Sequence, residues 1–213
     1  MRHAEAEYHG HLLRDRPDLA TRFGVRGAES RLVPVTEATL RSDPAWLTRL
    51  ASRLAALDGR RLTAREAARL DSLRAQVARE LAPHESGAWA RDPALYLELG
   101  PGAVFESARL RGAGACARTR HATRRMRALP EVLRAARVTL RALPVANAAV
   151  AESLAAPWRA AMDSLRALPA RLAACREPSR EADLVEADSL AIAACGRFVR
   201  FLREERAGAG AGD

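Results

Sequence analysis

With 213 residues, 48% of them hydrophobic, the chain is long enough for one domain with a substantial core. Aromatic residues make up only 4%, so Ala and Leu must fill that core; both are strong helix formers, and an all-α class follows. The net charge of +9 rests on 35 basic residues that are all arginine, and no stretch approaches the ~18 consecutive apolar residues of a membrane-spanning helix.

The N-terminal MRHAEAEYHGHLLRDR is charged throughout and lacks the apolar segment of a secretory signal. Cys116, Cys175 and Cys195 are odd in number and show no C-x-x-C spacing. They are therefore expected to be buried free thiols, in a protein of the reducing cytoplasm.

In chain order, Ala4 to Leu13 reads as a short helix, and Pro17 to Phe23 as a helical turn ended by Gly24. Residues 26–35, with Gly27 and Pro34, read as irregular. Asp43 before Pro44 looks like a helix start, because proline is preformed for the first helical position. That helix is expected to run to Leu57 with Trp46, Leu47, Leu50, Leu54 and Leu57 along its seam, and Asp58-Gly59 stops it. Thr63 lies three residues before Glu66, the spacing of a capping box. Leu70, Leu73, Val77 and Leu81 then mark one face of a helix from Ala64 to Leu81, closed by Pro83. The short link makes these two helices antiparallel neighbours.

Large side chains concentrate next. Trp89, Arg91, Asp92, Pro93 and Tyr96 form a structural anchor around the Arg91-Asp92-Pro93 turn, with Phe105 beyond it. Gly100-Pro101-Gly102 is expected to begin a helix that Gly112 and Gly114 interrupt. A helix from Pro130 to Leu143 carries the seam Leu129, Leu133, Leu140 and Leu143, and a further one from Val145 to Leu168 is kinked at Pro157. The closing helix, Arg180 to Glu205, presents Leu184, Leu190, Ile192, Phe198, Val199, Phe201 and Leu202 on a broad apolar face. Arg-Ala-Leu-Pro occurs at 127–130, 141–144 and 166–169, each read as a helix end followed by a restart. The unequal spacings exclude a solenoid. The expectation is one irregular bundle of six to eight helices over residues 1–205, with 206–213 as a disordered Gly/Ala tail.

Motifs for chemistry are incomplete. His84-Glu85 opens like H-E-x-x-H, but Ala88 stands where the second histidine belongs and Gly87 interrupts the helix the motif needs. His9 and His11, two residues apart, fall on different faces of a helix and read as part of a solvated N-terminal segment. Ser86 lacks the G-x-S-x-G context of an activated serine, and Gly100-x-Gly102 lacks the strand and third glycine of a dinucleotide loop. Asp183 and Glu186 sit at helix-surface spacing. No catalytic residue, metal ligand or cofactor is expected from these residues.

Charge is distributed unevenly. Residues 103–142 hold ten arginines against Glu106 and Glu131, a net of +8 out of the total +9. Arg109, Arg111, Arg118, Arg120, Arg124, Arg125 and Arg127 are the candidate anion-binding or domain-docking surface. Their counter-charge is expected from acids around Asp183–Asp188, from an acidic surface of another domain, or from a polyanion. No Phe, Trp or Tyr lies within 106–142, so stacking on single-stranded nucleic acid is not indicated.

Three stretches together carry a resemblance: Tyr8…Leu12-Leu13-Arg14-Asp15-Arg16-Pro17-Asp18-Leu19-Ala20-Thr21…Gly24, then Trp89-Ala90-Arg91-Asp92-Pro93-Ala94-Leu95-Tyr96, then Arg127-Ala128-Leu129-Pro130. The order is similar to the N-terminal half of the bacterial "domain of unknown function 885" family, regarded as zincin-like, zinc-dependent peptidases. The likeness spans about residues 5–205. The resemblance implies zinc only for the family's C-terminal half, whose His/Glu site has no counterpart here, so no catalytic residue carries over. It implies a helical module that walls a substrate cleft and packs on a catalytic domain or on a second copy of itself. An arginine-rich helical protein binding nucleic acid or polyphosphate, and an inactive stand-alone scaffold, are the other readings. No membrane partner is expected.

Overall fold

The computed structural model describes residues 2–58, 62–141, 143, 148–175 and 178–208, and every element among them is helical. Six long helices carry the bundle: α1 (Arg2–Asp15), α3 (Glu37–Ala55), α4 (Ala64–Glu85), α8 (Ala115–Thr139), α9 (Ala148–Arg166) and α11 (Pro178–Gly208). Short helices turn the chain between them: α2 (Pro17–Arg22), α5 (Ala88–Arg91), α6 (Pro93–Leu97), α7 (Ala103–Ala108) and α10 (Leu168–Leu172). A π-helical turn, Glu98–Gly102, joins α6 to α7. The Gly59 stop, the Pro144 break and residues 209–213 of the expected tail lie outside the described residues. α11 continues into that tail as far as Gly208.

Capping fixes two of the helix starts. Thr63 Oγ1 accepts from Glu66 N, and the Glu66 carboxylate accepts from Thr63 N at 3.0 Å, a reciprocal box at the head of α4. α3 begins earlier than the Asp43-Pro44 pair suggests, because Thr36 and Thr39 form a second reciprocal box, with bonds of 3.1 and 3.0 Å. At the far end of α4, Gly87 adopts φ +69°, the left-handed conformation that lets the chain leave the helix and enter α5.

Proline reads differently in the structure than in the sequence. Pro44, Pro83, Pro130 and Pro157 all lie inside helices. The expected start at Pro44, stop at Pro83 and restart at Pro130 are therefore corrected. Each internal proline forfeits one main-chain bond and costs about 3 kcal/mol in an isolated helix. Tertiary burial offsets it: around Pro130, Leu129, Val132 and Leu133 are all buried against the long helix α11. Of the three Arg-Ala-Leu-Pro segments, the one at 166–169 marks a helix end and restart, between α9 and α10. The first runs uninterrupted through α8.

Two hydrophobic clusters fill the bundle. The N-terminal one joins Tyr8 and Leu12 of α1, Leu47, Leu50 and Leu54 of α3, and Leu70, Leu73, Val77 and Leu81 of α4. Arg74 of α4 donates to Leu54 O at 2.8 Å and to Leu57 O at 3.3 Å, closing the C-terminal end of α3 against its neighbour. The larger cluster packs α8, α9 and α11 around Trp158, Phe198, Leu129, Leu133 and Leu202, with Trp89, Tyr96 and Leu99 at one side. Leu190 departs from the expected apolar face: it is 44% exposed on α11.

Cysteine chemistry is also corrected. Cys116, in the first turn of α8, is disulfide-bonded to Cys175 beyond α10, and Cys195 alone is a buried free thiol. The partners are 59 residues apart, so their spacing in sequence carries no signal; the antiparallel run of the chain brings their Cα atoms to 4.7 Å. Closing a loop of that length stabilises by about 4 kcal/mol in the chain-entropy model. A thiol-reactive reagent in denaturant should therefore titrate one thiol in the untreated chain and three after reduction, and reduction should lower the melting temperature. Three reactive thiols without reductant would show that the bridge is not formed.

Candidate functional site

The seven candidate arginines do not form one surface. Arg125 is wholly buried, at 0% exposure. Its guanidinium donates to Ala103 O, to Pro17 O at 3.1 Å, to Thr21 Oγ1 at 2.6 Å and to Ala28 O at 3.2 Å. Burial pushes its pKa down to about 10, a shift opposed by Asp18. It therefore remains a cation at neutral pH and cannot reach an external anion. Arg118, one heptad earlier on α8, donates to Ala113 O at 2.5 Å. Arg127 bridges Asp183 and Glu186 of α11, both at 2.9 Å, so these acids are counter-charges rather than a free solvated pair.

What remains outward is divided between two places. Arg120, Arg124 and Arg127 line a cleft of about 360 Å³ with Thr119, Thr123 and the first turn of α11. Arg109, Arg111 and Arg118 border a second hollow of about 480 Å³, between α7 and α10. Arg120 and Arg124 are exposed and make no ion pair or hydrogen bond among the described residues.

The aromatic anchor is built as a unit. Tyr96 is fully buried, donates from its hydroxyl to Trp89 O at 2.7 Å and meets the Trp89 ring edge-on at 5.9 Å. Asp92 caps α6 by accepting from Ala94 N at 2.9 Å, Pro93 occupies the first turn, and Arg91 donates to Ser86 O. The His84 ring lies 5.3 Å from Trp89, and burial lowers its pKa. These contacts hold α5 and α6 against the main core and bring no nucleophile to them.

A polar hub that the sequence pattern did not reveal lies where α1, α2 and α4 meet. His11 is 1% exposed, not solvated. Its Nε2 is 3.1 Å from Glu80 Oε2, and its Nδ1 is 3.2 Å from Asp15 Oδ2. Tyr8 donates to the other oxygen of Glu80, and burial followed by the Glu80 charge drives the phenol pKa upward. Arg16 donates to Glu80 at 3.4 Å and grips Asp18 at 3.1 and 2.8 Å. Asp43, from α3, completes the group, its carboxyl raised to about 6 by burial and by neighbouring Asp15. Trp46 stacks on the His11 ring at 4.4 Å. The available signal was positional: Tyr8, His11 and Asp15 recur at helical spacing among the apolar residues of α1.

Long-range folding also brings Ser30 to His121, with Oγ 2.7 Å from Nδ1. The second ring nitrogen has no hydrogen-bonded carboxylate among the described residues, so the pair lacks the orienting group of a catalytic triad. It acts as a tie between the 26–35 segment and α8.

The sequence matches the family described as "Bacterial protein of unknown function (DUF885)" over residues 17–213. No curated protein and no solved structure matches the chain.

The geometry gives Arg125 a purely structural role. Replacing it with Met should remove four buried charge-assisted hydrogen bonds, although each carbonyl keeps a second partner, and cost about 3 kcal/mol. In a chain of this size that is a fall of about 6–12 °C in melting temperature. Arg125→Lys should recover little, since one ammonium cannot span four acceptors. A variant that melts with the wild type would refute the role.

Proposed function

The chain belongs to the bacterial DUF885 family, and from that membership we propose that it is a non-catalytic helical module of a zincin-like metallopeptidase-family protein. Its work is to wall a substrate cleft and to pack against a catalytic domain. The observation that carries this is the uncommitted surface of α8 and α11. Arg120 and Arg124 point to solvent without partners among the described residues, and Val138, Val185 and Leu190 are exposed large apolar side chains on the same two helices. A groove of about 500 Å³ beside Val138, lined by Val35, Leu40 and Ala135, offers a seat for an apolar side chain of the docking part. The chain itself contains no H-E-x-x-H segment.

A Cys116–Cys175 bridge persists in an oxidising environment and argues against the reducing cytoplasm expected from composition. Among the described residues, no helix is long and apolar enough to cross a membrane.

A second reading is favoured by one feature, the arginine-lined cleft between α8 and the start of α11. There a phosphate-bearing polyanion would find Arg120, Arg124 and the exposed Ser179, while the buried hydroxyls of Thr119 and Thr123 already donate to Ala115 O and Thr119 O.

Peptidase assays on the purified chain, with and without added zinc, should be blank; zinc-dependent turnover would refute the non-catalytic reading. For the second reading, binding to single-stranded nucleic acid or polyphosphate should fall steeply with salt. The double variant Arg120→Gln/Arg124→Gln should flatten the log–log salt slope by about 1.5 to 2. An unchanged slope, or no binding at low salt, would leave the docking role alone standing.

A further inference from the structure

We propose that His11, Asp15 and Asp43 form a binding site for one divalent transition-metal cation at the junction of α1 and α3. The three side chains present one nitrogen and two oxygens whose ligating atoms all lie within 4.8 Å of one another. His11 and Asp15 are four residues apart on α1, so one helical face delivers two ligands already 3.2 Å apart, close to the ligand–ligand separation around a small cation with bonds of about 2.0–2.2 Å. Asp43 approaches from α3 and makes no hydrogen bond or ion pair among the described residues, although it is half-buried.

The surroundings of His11 fit metal ligation. Its Nε2 faces the Glu80 carboxylate, which is itself held by Tyr8 and Arg16. A histidine whose outer N–H is given to a fixed carboxylate presents its other nitrogen as a lone pair, the usual second-shell arrangement of a metal-bound imidazole. In that tautomer the Nδ1 lone pair faces an oxygen of Asp15, an acceptor facing an acceptor, which a bound cation between them would reconcile. The charge balance asks for the same thing. Asp15, Asp18, Asp43 and Glu80 converge here, while the one well-buried cation, Arg16, is already shared between Asp18 and Glu80. Arg14 reaches Asp15 only from solvent, at 3.7 Å. Buried carboxylates are tolerated when paired or when they coordinate a cation.

Mixed nitrogen and oxygen donors suit zinc, and a three-ligand set leaves room for water at the partly exposed side, where Asp15 and Asp43 reach the surface. The cation would pin α1 to α3. This inference goes beyond the proposed module role and does not rest on it, because it concerns a site on α1 and α3 rather than the surface of α8 and α11.

The test is zinc titration of the chelator-stripped full chain by calorimetry and by melting temperature. We expect one zinc per chain and a rise of about 5–10 °C at about a hundredfold excess over Kd. Asp43→Asn and Asp15→Asn lie at partly exposed positions that the fold tolerates, and each should weaken binding about tenfold or more. His3→Ala/His9→Ala, which removes the exposed histidines of α1, should bind as the wild type does. The proposal is overturned if zinc gives no stabilisation, or if the aspartate variants bind it unchanged. It is also overturned if binding disappears with His3 and His9, since the exposed histidines of α1 then hold the metal.

Discussion

A guanidinium buried without a contacting carboxylate is the constraint on which the N-terminal half depends. Arg125 takes its partners from three separate places: α2 at Pro17 and Thr21, the loop at Ala28, and the head of α7 at Ala103. Each of these carbonyls gives the guanidinium its second lone pair, since Ala28 O also accepts from Arg31 N at 3.0 Å, Pro17 O from Thr21 Oγ1 at 2.7 Å and Ala103 O from Ser107 Oγ at 3.2 Å. One planar, five-donor head collects them, which lysine could not do. Ser107 backs the arrangement by donating to Glu29 O at 3.0 Å and to Ala103 O at 3.2 Å. The α2–loop–α7 corner is therefore fixed to α8 by polar contacts, in a protein whose cores are mainly aliphatic.

That choice has a physical origin in composition. The N-terminal cluster is Leu, Ala and Val with Tyr8 as its one fully buried aromatic, and such side chains seal helix seams but not the irregular joints between helices. Joints leave main-chain carbonyls and amides to satisfy. Arg125 supplies donors there, and the aromatic anchor does the same with the Tyr96 hydroxyl on Trp89 O. The C-terminal α8–α9–α11 layer needs less of this. Its helices are long and its core residues continuous, with Trp158 against Phe198 at 4.4 Å and Arg137 over the Phe201 ring at 5.4 Å.

The all-α class, the capping box at Thr63 and the seams of α3 and α4 were legible because each follows from local propensity or period. The prolines were not. Local rules treat Pro44, Pro83 and Pro130 as boundaries, whereas in the fold buried residues lie on both sides of Pro130, and the buried seams of α3 and α4 lie after Pro44 and before Pro83, so a proline near a helix end is carried by the packed remainder of its helix. The arginine cluster was legible as a charge excess but not as geometry. Arg118 and Arg125 share a heptad face, and that face turns inward toward α7 and the N-terminal segment, while Arg120, Arg124 and Arg127 turn out. A periodicity of charge gives no sign of which side of the helix is covered. His11 and the Cys116–Cys175 pair were hidden for a related reason: their partners are 69 and 59 residues away.

The two buried polar centres differ in how their charge is balanced, and that difference separates structure from function. Arg125 is one fully buried cation among neutral acceptors, satisfied except at Nε, and no solvent-facing part of it is left to bind. The hub around His11 is the reverse. Carboxylates outnumber the arginines within it, Asp43 has no hydrogen-bond or ion-pair partner among the described residues, and Asp15 and Asp43 are partly exposed. A fold that needed only to close a joint would be better served by a balanced pair, since unpaired half-buried carboxylates repel one another and lose hydration together. The imbalance at α1 and α3 is the feature least explained by packing, and so it is the one most informative about a ligand.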